Sequence, residues 1–145
     1  MASHGKTPLC PICGSENVIA KEHSSFKNVL WRCQSCQTVF VWPQPPLSEL
    51  KEIYKDSYFK NNKSKDCGYD DYERDKVNIL KTFEKRLKKI QSLDPKKGRI
   101  LDIGCAFGYF LEVARKNGWD VRGVDISEHA IRAAKKTLGD NVICG

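Results

Sequence analysis

Four cysteines in two pairs have the spacing that implies chemistry most directly. Cys10-Pro-Ile-Cys13 and Cys33-Gln-Ser-Cys36 are separated by 19 residues. Two residues between cysteines allow a tight turn that aims both sulfurs at one ion. Two such turns close a tetrahedral thiolate shell of the kind Zn2+ prefers. Pro11 stiffens the first turn, and Gly14 lets the chain bend after Cys13. A full shell of Cys10, Cys13, Cys33 and Cys36 leaves no open coordination position. The metal is therefore expected to be structural, adding folding free energy to a segment too small for its own core. A redox Cys-x-x-Cys would need a thioredoxin-like setting, which this sequence lacks. His4 and His23 are set aside, because four cysteines already fill the shell.

A second group of residues lies in Ile100-Leu-Asp-Ile-Gly-Cys-Ala-Phe-Gly-Tyr-Phe-Leu111. Gly104 and Gly108 fall where a strand turns into a helix, and glycine there permits a tight turn and close approach of backbone to ligand. The helix start behind them favours an anionic group. Asp125 ends the next strand, 23 positions after Asp102. An acid at that place can accept both hydroxyls of a ribose. A nucleoside-type ligand across the strand tips is the reading of these pieces together. The loop is not Gly-x-Gly-x-x-Gly, as a nicotinamide site would want, and no Lys-Ser/Thr follows it as in an ATP-type phosphate loop.

The elements that must position these groups can be read along the chain. Strands are expected at Val18–Ala20, Val29–Arg32 and Val39–Trp42 around the cysteine pairs, with Trp31, Phe40 and Trp42 as packing residues. Trp42-Pro-Gln-Pro-Pro46 cannot be regular structure and reads as a stiff linker. Ser48 is placed to cap a short helix through Tyr54, and residues 55–71 read as loop. A long helix is expected from Tyr72 to Ser92, with Pro95 barring its continuation. From residue 98 the pattern becomes β-α-β-α-β: strand Arg99–Ile103, helix Phe107–Asn117 closed by Gly118, strand Asp120–Val124, helix capped by Ser127 through Leu138, and a strand at Asn141–Cys144. That is the opening of a doubly wound parallel sheet, an α/β fold. The expected division is residues 1–46 as ribbon and linker, 47–97 as helical lead-in and 98–145 as a partial ligand-binding domain.

The net charge is +7, and +4 of it falls in residues 47–97. Lys81, Lys85, Lys88 and Lys89 lie among Ile79, Leu80, Phe83, Leu87 and Ile90 at helical spacing, which reads as the solvated face of an amphipathic helix. Asp70, Asp71, Glu73 and Asp75 precede them and would repel phosphate, so a nucleic-acid partner is not expected. The 145 residues, 40% of them apolar and 30% charged, exclude a low-complexity or wholly disordered chain. No apolar run approaches the ~20 residues needed to span a bilayer, and no secretory signal is apparent. A cytoplasmic protein with reduced thiols and no membrane partner is expected. Cys105 reads as a small, partly buried side chain in preference to a nucleophile, Cys144 as core, Cys67 as incidental and His129 as a surface residue. The sequence leaves the oligomeric state open.

Leu-Asp-Ile-Gly-Cys-Ala-Phe-Gly-Tyr-Phe-Leu-Glu112, followed by Gly-Trp-Asp-Val-Arg-Gly-Val-Asp-Ile-Ser127, resembles the first two motifs of class I S-adenosylmethionine-dependent methyltransferases. Ala106 departs from the family's acid-x-Gly-x-Gly-x-Gly at its middle glycine, a change tolerable if that position has negative φ. The four-cysteine ribbon, proline-rich connection and tyrosine-containing lead-in are also similar to some bacterial members, sugar C-methyltransferases among them. The resemblance implies a Rossmann-like fold and S-adenosyl-L-methionine as cofactor. It places Gly104, Gly108 and the backbone of Cys105 and Ala106 against the methionine part, with Asp102 near the amino group. It puts Asp125 on the ribose hydroxyls and Ile126 on the adenine, with Tyr58, Tyr69 and Tyr72 closing over the cofactor. The implied activity is methyl transfer to a small-molecule acceptor, with sugars among the candidates. No residue can be assigned as catalytic base. The family fold has seven strands, so the sequence is expected to be the N-terminal portion of a longer enzyme. Alone it should bind the cofactor weakly and be inactive. The rival is a non-enzymatic zinc-ribbon module binding nucleic acid or protein, with the β-α-β part as scaffold.

Overall fold

The computed structural model describes residues 7–21, 29–60 and 69–145. The chain divides into two compact units, Met1–Glu49 and Leu50–Gly145. His4, His23 and Cys67 lie outside the described residues.

The first unit is a three-stranded antiparallel sheet of β1 (Val18–Lys21), β2 (Val29–Cys33) and β3 (Val39–Trp42), in that spatial order. Val18 faces Cys33 and Trp31 faces Phe40 across the sheet. The core is only Cys10, Val18, Cys33 and Phe40, with Trp31 packed against it. Trp31 and Phe40 take the packing role expected of them. Trp42 does not, since it is substantially exposed at the end of β3. So few buried side chains remove too little apolar surface from water to hold a sheet alone.

α1 (Leu47–Ile53) runs across the boundary between the units, and the second unit continues with α2 (Asp56–Phe59) and α3 (Lys76–Leu93). Three expectations shift here. The first helix begins at Leu47, so Ser48 lies inside its first turn and does not cap it. Residues 56–59 are helical, not loop, and Phe59 at their end is 3% exposed within a cluster of Tyr72, Phe107, Tyr109 and Ala130. The long helix starts at Lys76 and not at Tyr72. The Tyr69 and Tyr72 N–H groups donate to the carbonyls of Tyr58 and Phe59 at 2.8 and 3.0 Å. That pairing with the segment of α2 holds Tyr72 out of the helix.

β4 (Arg99–Ile103), α4 (Tyr109–Lys116), β5 (Asp120–Asp125), α5 (Glu128–Leu138) and β6 (Val142–Cys144) then form the β-α-β-α-β unit. The sheet is parallel with order β4-β5-β6. Ser127 caps α5, its hydroxyl accepting the Ala130 N–H at 3.3 Å. Leu111, Val121, Ala134, Leu138 and Val142 form the core, and Leu87 of α3 is buried in it. Buried Glu112 of α4 accepts from Lys76 Nζ of α3 and Thr137 Oγ1 of α5, both at 3.2 Å, which ties three helices together. α4 starts at Tyr109, later than Phe107, because Gly108 ahead of it is left-handed. Among the described residues β4 pairs on one side only, and its Leu101 and Ile103 are exposed. Cys144 is not core. It sits exposed on the outer strand, its Sγ 3.6 Å from the Ile126 carbonyl. The lysines Lys81, Lys85, Lys88 and Lys89 are exposed, as a solvated helix face requires.

Candidate functional site

In the first unit the structure brings all four predicted cysteines together. Their sulfurs lie within 4.8 Å of one another. Cys10 and Cys36 sulfurs are 3.6 Å apart, as are those of Cys13 and Cys33. A zinc tetrathiolate with Zn–S bonds near 2.3 Å has sulfur–sulfur edges of about 3.8 Å. These spacings are far longer than a disulfide's ~2.05 Å, and all four thiols are free. The surroundings favour thiolate at Cys36 and Cys33, whereas Cys13, although the Ser15 N–H lowers it, is raised to about 12 by its hydrogen bonds to the neighbouring cysteines and by burial. The Thr38 hydroxyl, 3.3 Å from Cys36 Sγ, and then the Thr38 N–H hold that thiol down to about 6. The Cys36 N–H, 3.5 Å from Cys33 Sγ, is the largest influence lowering Cys33. The donor set therefore fits a closed tetrahedral metal site.

The second site is a cavity of about 720 Å³ at the C-terminal ends of β4 and β5. Its floor is Asp102 near the end of β4, the loop after it with Gly104, Cys105 and Ala106, Asp125 at the end of β5 and Ile126 just beyond. Its opposite wall is aromatic and comes from the lead-in: Tyr54, Tyr58, Phe59, Tyr69 and Tyr72. Edge-on ring contacts of 4.7 to 5.9 Å connect Tyr58, Tyr69, Tyr72 and Phe59 to one another. Each such pair adds roughly 0.5–1.5 kcal/mol beyond its buried area.

The floor is built by backbone bonds. The N–H groups of Gly104 and Cys105 both donate to the Val124 carbonyl, at 2.8 and 3.1 Å. Gly104 has φ +82°, and a Cβ built on it meets nothing within 4 Å. The loop thus presents bare backbone to open space, a cradle that a side chain would fill. Ala106 has φ +47°. The condition under which alanine is readily tolerated here, a negative φ, is not met, and the alanine sits where the family's glycine would be unstrained. What holds it there is Asp125, whose Oδ2 accepts the Ala106 N–H at 2.8 Å. Asp125 Oδ1 accepts the Ser127 N–H at 2.8 Å. An ionised carboxylate has about four acceptor positions, so Asp125 pins the loop and still has lone pairs to offer a ligand. Capping α5 is the work of Ser127 and not of Asp125.

Gly108 is placed differently from the other loop residues. It does not line the cavity, and a Cβ on it would stand 2.4 Å from Leu138 Cδ1 and 3.3 Å from Ala134 Cβ. Its missing side chain lets α4 approach α5. Gly123, which the sequence reading passed over, has a similar duty. A Cβ there would lie 2.5 Å from Leu111 Cδ1 and 2.9 Å from Cys105 Sγ.

Electrostatically the cavity is acidic at its floor. Burial, and then the neighbouring Asp125, raise the Asp102 carboxyl above its ordinary value. Burial, then Asp125 and Asp102, push the Cys105 thiol up to about 12. Cys105 therefore stays protonated at neutral pH and serves as a small buried filler against Gly123. Burial, then Tyr69, raise the Tyr72 phenol, which remains neutral. Two facing carboxylates favour a ligand that carries positive charge. His129 is not a surface residue: its ring is half-buried, stacked on Phe59 at 5.9 Å, with Nδ1 3.0 Å from Asp56 Oδ1. It clamps α2 onto α5 outside the main cavity. Phe83, Arg86, Ile90 and Phe110 also line the cavity, a role the sequence did not suggest for them.

Residues 73–142 match a family model described as a methyltransferase domain. The ribosomal RNA small subunit methyltransferase C of Alcanivorax borkumensis is 36% identical over 50 residues, which is 34% of this chain and 15% of that protein. Among solved structures, the PH0226 protein of Pyrococcus horikoshii OT3 is 24% identical, with a TM-score of 0.39 over 67% of this chain and 39% of that one. The plantazolicin methyltransferase BpumL, in complex with a pentazolic desmethylPZN analog and SAH, is 29% identical, with a TM-score of 0.42 over 68% of this chain and 41% of its own. The chain thus spans well under half the length of each of these relatives. At such scores the assignment of the fold rests on the strand order and crossovers themselves. The resemblance of the glycine loop to class I S-adenosylmethionine-dependent methyltransferases holds over the matched segment, and the four-cysteine cluster ahead of it fits a zinc site. Among the described residues no helix is long and apolar enough to cross a membrane.

Proposed function

We propose that the cavity over the glycine loop binds S-adenosylmethionine, and that the protein transfers its methyl group to a small-molecule acceptor. The observation that carries this is Gly104: left-handed, bare toward open space, and flanked by two carboxylates at the strand tips. Bound S-adenosylmethionine supplies a methyl group on a sulfonium centre, ready for in-line attack. Asp125 offers its remaining lone pairs to the ribose hydroxyls, and Ile126 offers an apolar surface to the adenine. Asp102 faces the amino group. Gly104, Cys105 and Ala106 present backbone to the methionine part, and Gly108 fixes the helix start behind them. Tyr58, Tyr69 and Tyr72 cover the cavity and exclude water. The four thiolates hold one structural zinc apart from this chemistry, and a thiol-rich metal site supports a reducing, cytoplasmic setting.

The test is a titration of the protein with S-adenosylhomocysteine, followed by ¹H–¹⁵N chemical shifts so that weak binding is read. Saturable shifts at Gly104, Ala106 and Ile126 are expected, lost in Asp125→Ala. Shifts elsewhere, or none, would overturn the assignment.

A nucleic-acid acceptor is the second reading, favoured by the name of the Alcanivorax relative, a ribosomal RNA methyltransferase. Salt-dependent binding of an RNA oligonucleotide would support it, with affinity falling steeply as salt rises.

A further inference from the structure

Among the described residues the cavity lining contains three charged side chains, Arg86, Asp102 and Asp125. Arg86 is the one cation among them, and neither cofactor motif of the sequence includes it. It lies in the C-terminal half of α3, with Phe83 three residues before it and Ile90 four after, all on the cavity side of the helix. Leu87, beside it, is 1% exposed and anchors that part of α3 in the core. The Arg86 guanidinium lies 5.6 Å from the centre of the Phe83 ring, and Phe83 in turn contacts Phe110, in the first turn of α4, at 5.6 Å. That contact steadies the long, exposed side chain where it lines the cavity.

Nearby cations are committed elsewhere. Lys76 is 3.2 Å from Glu112 and stacks over Tyr109, while Lys60 is 3.1 Å from Glu73. Among the described residues Arg86 pairs with no carboxylate. The amino-acid end of S-adenosylmethionine bears an ammonium and a carboxylate on one carbon. A site that offers acids alone would serve the first and repel the second. A guanidinium is always charged and presents paired donors that match a carboxylate.

Resting on the reading that the cavity takes this cofactor, the geometry points to Arg86 as the residue that binds its α-carboxylate. Arg86 is then a cofactor-positioning residue contributed by the helical lead-in, and the lead-in is part of the binding site as well as its cover.

The test compares two ligands and two variants. S-adenosylhomocysteine carries the amino-acid end, and 5′-methylthioadenosine keeps the nucleoside and thioether without it. Arg86→Gln is expected to weaken S-adenosylhomocysteine by about 10- to 100-fold, the range for a hydrogen bond to a charged group. It should leave 5′-methylthioadenosine within about twofold. Arg86→Lys, which keeps the charge but loses the fork, should fall between wild type and Arg86→Gln for the first ligand. Equal losses for both ligands would mean that Arg86 acts only on the structure, and would overturn the inference. Unchanged binding of S-adenosylhomocysteine in Arg86→Gln would overturn it while leaving the cavity assignment standing. Failure of the wild-type protein to bind either ligand would overturn both.

Discussion

Alanine substitutions at Gly104 and Gly108 should have opposite balances of stability and binding. Both glycines are left-handed, with φ +82° and +74°. An L-residue there costs roughly 1–2 kcal/mol in backbone strain, offset by about 0.4–1 kcal/mol from the less flexible unfolded chain. For Gly104 nothing else is added, because its Cβ would meet no atom within 4 Å. The net cost is about 0.5–1 kcal/mol. For Gly108 the new Cβ would stand 2.4 Å from Leu138 Cδ1. Leu138 is 2% exposed and cannot swing away, and Ala134 Cβ, at 3.3 Å, closes the other side. Overpacking of this kind adds about 1–3 kcal/mol, giving a total near 2–3 kcal/mol. For a domain of roughly 100 residues, each kcal/mol moves Tm by about 4–8 °C. Thermal unfolding followed by the circular dichroism of α3–α5 should therefore fall by about 10–20 °C for Gly108→Ala and by a few degrees for Gly104→Ala. Binding of S-adenosylhomocysteine should show the reverse order, lost in Gly104→Ala and retained by folded Gly108→Ala. Adding Leu138→Ala to Gly108→Ala removes the obstructing methyl, so the two changes should couple favourably by about 1–3 kcal/mol. Equal destabilisation at the two glycines, or no coupling, would refute the steric argument.

Three further outcomes follow from the geometry. Ala106→Gly relieves a left-handed alanine at the cost of unfolded-chain freedom, so differential calorimetry should show Tm rising by about 2–4 °C; a clear fall would mean the residue is unstrained. Asp102 has a raised carboxyl in the folded state, so the folded protein binds its proton more tightly and stability drops as pH rises from the unfolded value through the folded one. Asp102→Asn should accordingly stabilise the protein at pH 7 and have little effect below pH ~3.8, and a stabilisation that is the same at both pH values contradicts burial as the cause. Metal analysis should find one zinc per chain. Chelation, or Cys33→Ser, should abolish the dispersed amide signals of β1–β3 while the helical signal of α3–α5 persists; loss of both together would show that the units do not fold independently.

The parts of this fold that were legible in the sequence are those set by neighbours along the chain. A metal knuckle needs two residues between its cysteines, and the sulfurs of Cys10, Cys13, Cys33 and Cys36 do converge. Ser127 three residues before Ala130 is a cap by local geometry alone, and it is observed as one. β4 is observed at Arg99–Ile103, the apolar run ending in glycine that marked it. What could not be read is set by partners distant in sequence. Residues 56–59 are helical because Phe59 finds Tyr72, Phe107 and Ala130. Gly123 is needed because Leu111 and Cys105 lie against it. Arg86 sits in a basic stretch of sequence, and only the packing of α3 brings it to the cavity.

Ala106 is the most instructive of these, because alanine in place of the family's glycine is tolerable at negative φ, yet the residue is left-handed and bonded to an acid nineteen residues away. Asp125 Oδ2 holds the Ala106 N–H, and Oδ1 holds that of Ser127. The carboxylate assigned to the ribose is thus the same one that shapes the loop assigned to the methionine part. The two halves of the proposed site are therefore not independent. A change that alters the acceptor strength of Asp125 must shift the loop as well, so Asp125→Asn should lower binding of 5′-methylthioadenosine, which lacks the amino-acid end, and also move the Ala106 amide resonance in the ligand-free protein. A loss of binding with the Ala106 resonance unmoved would separate the two roles and show that the loop holds its left-handed turn without the aspartate.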